Sequence, residues 1–270
     1  MAVNHLTVAT GLGIRQYLRN PLLVILLVIL PPAFITLSFV VTPDVGAIVG
    51  LSEDGEMIQR DVGMVDLHGA IMVPITTAFL GGLLGLFVML NSREADRRLV
   101  SAGYPVAGLL AVRLAIIAGL SVFITVLAVG VTLVDFVPDQ FVLFVIANLI
   151  STLQYAFLGA IVGTFLSPMA GTYLVFFAPM IDLGVIQNPM FPRETLAWWT
   201  KLLPGHGPME VLLDASFTAG FDTGTDLGLS LAYLAIVVGL GFAAFHKVTA
   251  IRGDGPPTTT LPTQPSITVS

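Results

Sequence analysis

Six long stretches of this chain are nearly free of charged residues, and this feature limits the possible folds more than any other. A bilayer core about 30 Å thick needs roughly 20 apolar residues per helix, which is the length of these stretches. The chain is 10% charged with a mean hydropathy of +0.94, which excludes an ordinary soluble domain. The predicted membrane spans are residues 22–41, 67–90, 106–134, 141–166, 170–186 and 227–245.

These stretches are continuous apolar runs, as in Leu22 to Leu30, whereas transmembrane β-strands alternate apolar and polar residues. The first stretch is longer than a signal-peptide core and no small-residue cleavage site follows it, so we expect it to be retained. The predicted fold class is therefore an all-α integral membrane protein with six transmembrane helices in a single domain, residues 1–252. Residues 253–270 are rich in Pro and Thr and are predicted to form a disordered cytoplasmic tail.

The distribution of Lys and Arg predicts the orientation, because these residues are retained on the cytoplasmic side. With both termini cytoplasmic, eight of the eleven lie inside. A net charge of −6 makes a nucleic-acid partner improbable, since such a partner requires a basic surface. The eight residues are Arg15, Arg19, Arg93, Arg97, Arg98, Arg113, Lys247 and Arg252.

The segments outside the spans predict further elements. Residues 1–20 place apolar side chains at helical spacing and predict an interfacial helix on the cytoplasmic leaflet, with an irregular leader as the alternative. The acidic, Gly-containing residues 42–66 predict a polar outer loop. Between spans five and six, Pro residues separate the apolar segments 195–203 and 209–217. Both are too short to span, which predicts re-entrant or interface-lying helices.

The cytoplasmic connection between spans two and three predicts a short charged helix. Ser92 is a suitable N-cap, and Glu94 and Arg98 have the i, i+4 spacing of an ion pair. Gly103 and Pro105 would end this helix.

Several chemistries are missing from the sequence. There is no cysteine, no Gly-x-x-x-x-Gly-Lys-Ser/Thr phosphate cradle, no Gly-x-Ser-x-Gly and no His-Glu-x-x-His. The four histidines lie at span ends or in connections, so a metal site is not predicted. We therefore expect no enzymatic activity in this chain and no cofactor bound by it.

Asp182, Arg113, Gln154 and Asn148 place charged or amide side chains within the predicted spans, where such groups are costly. Asp182 is interpreted as a snorkelling or pore-facing carboxylate near the outer surface, with a substrate or proton site as the alternative. Gln154 and Asn148 are expected to bond to a neighbouring helix, and all three residues are possible members of a transport pathway. The Arg113 side chain is expected to extend to lipid phosphate. Finally, Gly81, Gly82 and Gly85 predict a face for close helix packing.

Three segments carry a resemblance to a known family. They are Arg15-Gln-Tyr-Leu-Arg-Asn-Pro21, Glu94-x-x-Arg-Arg-Leu-x-x-Ala-Gly-Tyr-Pro105 and Trp198-Trp-x-x-Leu-Leu-Pro204. With the order of spans, they resemble the type-2 export permeases of the ATP-binding-cassette (ABC) transporters over nearly the whole chain. An ion-gradient-driven transporter or channel and an intramembrane enzyme are the alternatives.

The resemblance implies a prokaryotic plasma-membrane permease subunit that pairs with itself or with a related permease. It also implies that a separate ABC ATPase subunit, carrying ATP and Mg²⁺, docks on the segment between spans two and three. The leader would be the connecting helix of the family, and the segments between spans five and six its outer re-entrant pair. The implied coupling residues are Ser92, Glu94, Asp96, Arg97, Arg98 and Ser101.

Overall fold

The computed structural model describes residues 21–53, 56–191 and 198–253. The predicted interfacial helix of residues 1–20 and residues 254–270 of the predicted tail lie outside this part. Seven α-helices and one β-hairpin are present in it. They are α1 Pro21–Val41, β1 Gly46–Glu53, β2 Glu56–Gly63, α2 Met64–Ser101, α3 Val106–Thr132, α4 Phe141–Phe165, α5 Pro168–Ile181, α6 His206–Phe217 and α7 Gly224–Gly253. A π-helical turn, Asp182–Ile186, follows α5, and a 3-10 turn spans Trp198–Leu202.

The six predicted spans are confirmed as helices. Among the described residues, α1, α2, α3, α4, α7 and the unit formed by α5 and its π turn are long and apolar enough to cross a membrane. This is the architecture of a multi-pass membrane protein. The starts and ends of four spans agree with the prediction within three residues, whereas α2 and α7 continue well past their apolar stretches. Gly253, the first residue of the predicted tail, is the last residue of α7.

The packing of α2 against α4 forms the centre of the bundle. In α2, 83% of the apolar span is buried, against at most 56% in the other spans. A Cβ atom on Gly85 would lie 1.8 Å from the Ala156 carbonyl oxygen, and one on Gly159 would lie 2.1 Å from that of Gly82. The two backbones therefore touch where only glycine fits, which confirms the predicted close-packing face of α2.

Two ends of the bundle can be named from the elements that lie there. We call the end with β1 and β2 the hairpin end, and the end where α2 finishes, near Arg93, the arginine end. One apolar core joins the hairpin to α2, α4 and α6, and a second core joins α2, α3, α4 and α7 towards the arginine end.

The polar loop predicted for residues 42–66 is instead the β-hairpin. The strands are antiparallel, with Gly46 opposite Gly63 and Val49 opposite Arg60. Side chains alternate, because Val49 and Leu51 are buried against the bundle while Ile48 is 72% exposed. The apolar alternation of β1 is the reason that this acidic segment pairs as strands.

The separate charged helix predicted between spans two and three is also wrong. Residues 91–101 contain no Gly or Pro, so α2 continues without a break to Ser101. Ser92 lies within α2, where its Oγ donates to the Met89 carbonyl oxygen at 3.3 Å, and it caps nothing. The predicted end of the helix is confirmed, because Gly103 has a φ of 87° and its N–H donates to the Val100 carbonyl oxygen.

Helix α6 lies along α4 at the hairpin end. The Gln140 N–H at the start of α4 donates to the Ala215 carbonyl oxygen at 2.8 Å. The Asp214 carboxylate then holds the turn into α7, accepting from the N–H groups of Asp222 and Thr223 at 2.9 and 3.1 Å. The predicted segment 209–217 is therefore helical, and segment 195–203 is a 3-10 turn where it is described.

Replacing Gly85 with Ala should separate α2 from α4. The added methyl group overlaps the Ala156 carbonyl, and we expect a loss of about 1–3 kcal/mol in the free energy of unfolding. The measurement is the thermal unfolding midpoint of the purified protein in detergent. The matched control is Gly239→Ala in α7, where nothing lies within 4 Å of the new Cβ, and helix propensity should raise stability by about 0.5–1 kcal/mol. Equal effects of the two changes would contradict the proposed packing.

Candidate functional site

The last three turns of α2 present an exposed charged face at the arginine end. Glu94, Arg97, Arg98 and Ser101 are exposed and line an open groove together with Arg93. The predicted ion pair between Arg98 and Glu94 is confirmed, with both side chains almost fully exposed. An exposed pair of this kind contributes little to stability, so these charges are available to a partner.

The opposite face of the same turns is buried. The Asp96 carboxylate accepts two hydrogen bonds from Arg113 of α3, from Nη2 at 2.7 Å and from Nε at 3.4 Å. The two side chains are only 3% and 17% exposed. Arg113 therefore does not reach lipid phosphate as expected, because its partner is a carboxylate on the neighbouring helix. Asp96 and Ser92, two of the coupling residues that the resemblance implies, are buried and lie away from the exposed face.

Arg93 ties α2 to a third helix. Its Nη2 donates to the carbonyl oxygens of Gly163 and Leu166, where α4 ends and its last carbonyls have no partner within the helix. A cation is favourable at this position because of the helix dipole. The arginine end of α2 is thus bonded to α3 through Asp96 and to α4 through Arg93.

The positions of Asp96 and Arg113 in the sequence indicate that these two residues pair. Asp96 lies eight residues before Tyr104, and Arg113 lies eight residues after Pro105. Antiparallel helices joined by a short turn bring residues equidistant from that turn to the same level. Arg93, in contrast, bonds to residues 70 and 73 positions away, and no local pattern indicates these contacts.

Asp182 forms the second polar site, between α4, the π turn and the loop before α6. Its Oδ2 accepts from the Tyr155 hydroxyl at 2.5 Å and from the Gly205 N–H at 2.9 Å. The side chain is buried, with the residue 5% exposed, so the predicted snorkelling carboxylate is wrong. Its other oxygen, Oδ1, has no hydrogen-bond partner in the structure described. No pattern in the sequence indicated a role for Tyr155.

Further polar groups hold the loop beside Asp182. His206 Nδ1 lies 3.0 Å from Gln187 Oε1 and 3.8 Å from Glu210 Oε1. Gln187 Nε2 donates to the Thr200 carbonyl oxygen at 2.9 Å, which attaches the 3-10 turn to the end of the π turn. The Gln187 side chain also bonds to the Asp182 carboxylate, and the His206 ring lies near enough to interact with that carboxylate.

The two buried amides of α4 differ in their contacts. Gln154 Nε2 donates to the Ser230 carbonyl oxygen of α7 at 2.9 Å, which confirms the expected bond to a neighbouring helix. Asn148 Nδ2 donates to the Phe144 carbonyl oxygen of its own helix at 2.8 Å, so that expectation was wrong for Asn148. The amide oxygen of each lacks a hydrogen-bond partner among the described residues.

Within the described ranges, no group of three or more His, Asp or Glu side chains is arranged to hold a metal ion. Comparison with protein-family models and with curated proteins finds no match.

Replacing Asp96 with Asn should destabilise the protein strongly, since it leaves the Arg113 charge buried without its counter-ion. We expect a loss of about 3–5 kcal/mol in the free energy of unfolding, measured by denaturant titration in mixed micelles. The exchange of both residues, Asp96→Arg with Arg113→Asp, should recover a large part of it. Glu94→Gln on the exposed face is the control and should change stability by less than about 0.5 kcal/mol. A large loss in the control, or none in Asp96→Asn, would refute the pairing.

Proposed function

We propose that this chain is the membrane-spanning permease subunit of an ATP-driven ABC exporter, coupled to a separate ATPase subunit. The observation that carries the proposal is the continuity of α2. This helix is the most buried span of the bundle, and it ends in the exposed charged face. A force applied to that face would thus act directly on the centre of the transmembrane domain.

The length of α2 supports this role. At 1.5 Å per residue, its 38 residues measure about 57 Å, nearly twice the thickness of the hydrocarbon core. One end of α2 must therefore project from the membrane, and the charged turns around Arg97 are the part that can do so. An uninterrupted helix transmits displacement better than two helices joined by a loop.

The contrast between the exposed and buried faces of the last turns of α2 also supports the proposed coupling role. Glu94, Arg97 and Arg98 point to solvent, where a soluble subunit can bind them. Asp96 and Arg93 face inward and connect the helix to α3 and α4. Docking on one face would move three helices together.

Because the sequence contains no phosphate-binding motif, the chain itself does not supply the energy for uphill transport. Uphill transport needs a ligand or partner whose binding differs between two conformations of the permease. In the proposed complex, the partner subunit binds ATP and Mg²⁺, and its closure displaces the exposed charged face. The bias of Lys and Arg supports an orientation with the arginine end in the cytoplasm and the hairpin and α6 on the outside.

The surface of the bundle is compatible with a second permease. On α1 and α5, Phe34, Leu37 and Phe177 are exposed apolar residues. In a bilayer such faces contact lipid or another transmembrane subunit. We propose a pair of permeases, either a homodimer or a heterodimer.

An ion-gradient-driven transporter is the second candidate, and one observation favours it. Asp182 is a buried carboxylate with one unpaired oxygen, and such groups occur in proton and ion pathways. The single carboxylate is weak support beside the geometry of α2, because ion coupling more often uses several groups at similar depth.

Simultaneous replacement of Glu94, Arg97 and Arg98 with Ala should remove the docking surface without unfolding the protein. In purification from the native membrane, we expect a nucleotide-hydrolysing subunit to accompany the wild-type chain. The triple variant should retain less than about a tenth of that subunit, because charged residues at the centre of an interface dominate its affinity.

The control is the triple variant of Asp135, Asp139 and Lys201, which are exposed charges away from the arginine end. It should insert, fold and retain the ATPase subunit. Normal coupling of ATP hydrolysis to transport in the first triple variant would refute the role proposed for the exposed charged face of α2. If crosslinking also captures no ATPase and transport persists on an ion gradient, the second candidate is correct.

A further inference from the structure

An apolar cavity of about 170 Å³ lies between α2, α4 and α5. Gly82 and Gly159 line it without contributing side chains, which leaves space beside the contact of the two main helices. No polar atom of the described residues is exposed in this cavity, so a water molecule would find no hydrogen-bond partner there. An apolar cavity of about 150 Å³ accommodates benzene, so the space corresponds to a segment of about six carbon atoms.

Two contacts hold α5 on either side of the cavity. Towards the arginine end, α5 packs closely on α2, because a Cβ atom on Gly171 would lie 2.6 Å from Leu86 Cδ1. At the other end, the Tyr155 hydroxyl group of α4 donates to Asp182, the residue that follows α5. Between these contacts α5 buries a single residue in each turn. The helix is therefore held at both ends of the gap and cannot close it without losing one of these contacts.

The cavity opens on a surface that faces hydrocarbon in a bilayer. Leu174 and Ala178 line it from α5 and are exposed, while Leu158 and Val162 line it from α4 and are half-buried. Both helices belong to segments that are long and apolar enough to cross a membrane. The medium at the opening is thus the hydrocarbon core of the bilayer, which contains no water to fill the space.

We propose that this cavity is a binding site for one hydrocarbon chain of a membrane lipid. The chain enters between α4 and α5 and packs against Val175 and the two glycines of the wall. An empty cavity deprives its lining atoms of van der Waals contacts, and the lipid chain supplies them. The lipid thereby completes the packing of α5 on α2 and α4. This site goes beyond the proposed transport function and requires neither ATP nor an ATPase subunit.

Photolabelling of the full-length chain in phosphatidylcholine nanodiscs tests the site. A small fraction of the lipid carries a diazirine in the middle of one acyl chain, and mass spectrometry locates the labelled residues. Val175 lines the cavity and is 5% exposed, so a lipid must enter the cavity to label it. Ile116 of α3 is fully buried outside the cavity and is the negative control, whereas the exposed Ile236 of α7 is the positive control.

We expect the labelling of Val175 to exceed that of Ile116 by about tenfold or more and to approach that of Ile236. This result requires a lipid chain inside the cavity, because lipids that only surround the bundle reach Ile236 and not Val175. Equal, low labelling of Val175 and Ile116 would overturn the proposal.

Two variants that narrow the opening from opposite sides test the route of entry. Ala178→Phe on α5 and Val162→Phe on α4 should each lower the labelling of Val175 by about tenfold and leave that of Ile236 unchanged. The matched control is Ala235→Phe, the same change at an exposed position near the middle of α7, and it should leave Val175 labelled as in the wild type. If neither narrowing variant lowers the labelling, the chain does not enter between α4 and α5 and the proposed site is wrong.

Discussion

The backbone contact between α2 and α4 is the interaction on which the rest of the structure depends. No side chain separates the helices where Gly85 meets Ala156 and Gly82 meets Gly159, so main-chain atoms set the distance between them. The other elements take their positions from this pair. Helices α1, α3 and α5 pack on α2, while α6 and α7 pack on α4. In a bilayer, where apolar burial between helices adds little, such close packing is the main source of association.

The hydrogen bonds at the arginine end act on the same two helices. Arg93 joins α2 to the last carbonyls of α4, and Asp96 adds α3 through Arg113. These three helices are thereby fixed at the bundle centre and again where they end. A unit bonded at two levels resists internal shear, so any rearrangement of the bundle is expected between this unit and its neighbours. Helices α1 and α7, the least buried spans, are the elements against which it would move.

The features predicted correctly are those that depend on local sequence. Apolar length determines a span, and the three glycines of α2 mark a close contact whichever helix supplies the other side. Tertiary contacts between distant segments were not predictable in this way. Tyr155 meets Asp182 only because the π turn directs that carboxylate towards α4. The hairpin was missed because acidic residues and glycines obscured the alternation of Val49 and Leu51, although that alternation is a local signal.

The two buried carboxylates, Asp96 and Asp182, differ in the partners that the fold provides for them. Both oxygens of Asp96 bond to Arg113, whereas the Asp182 carboxylate has donors on one oxygen alone. Removal from water is costly for both groups, and the fold offsets this cost with an ion pair for Asp96 and with hydrogen-bond donors for Asp182. Asp96 has the contacts of a structural group that holds helices together. Asp182 instead bonds to the Tyr155 hydroxyl and the Gly205 N–H, with Gln187 and His206 beside it, and so holds the π turn to α4 and to the loop before α6.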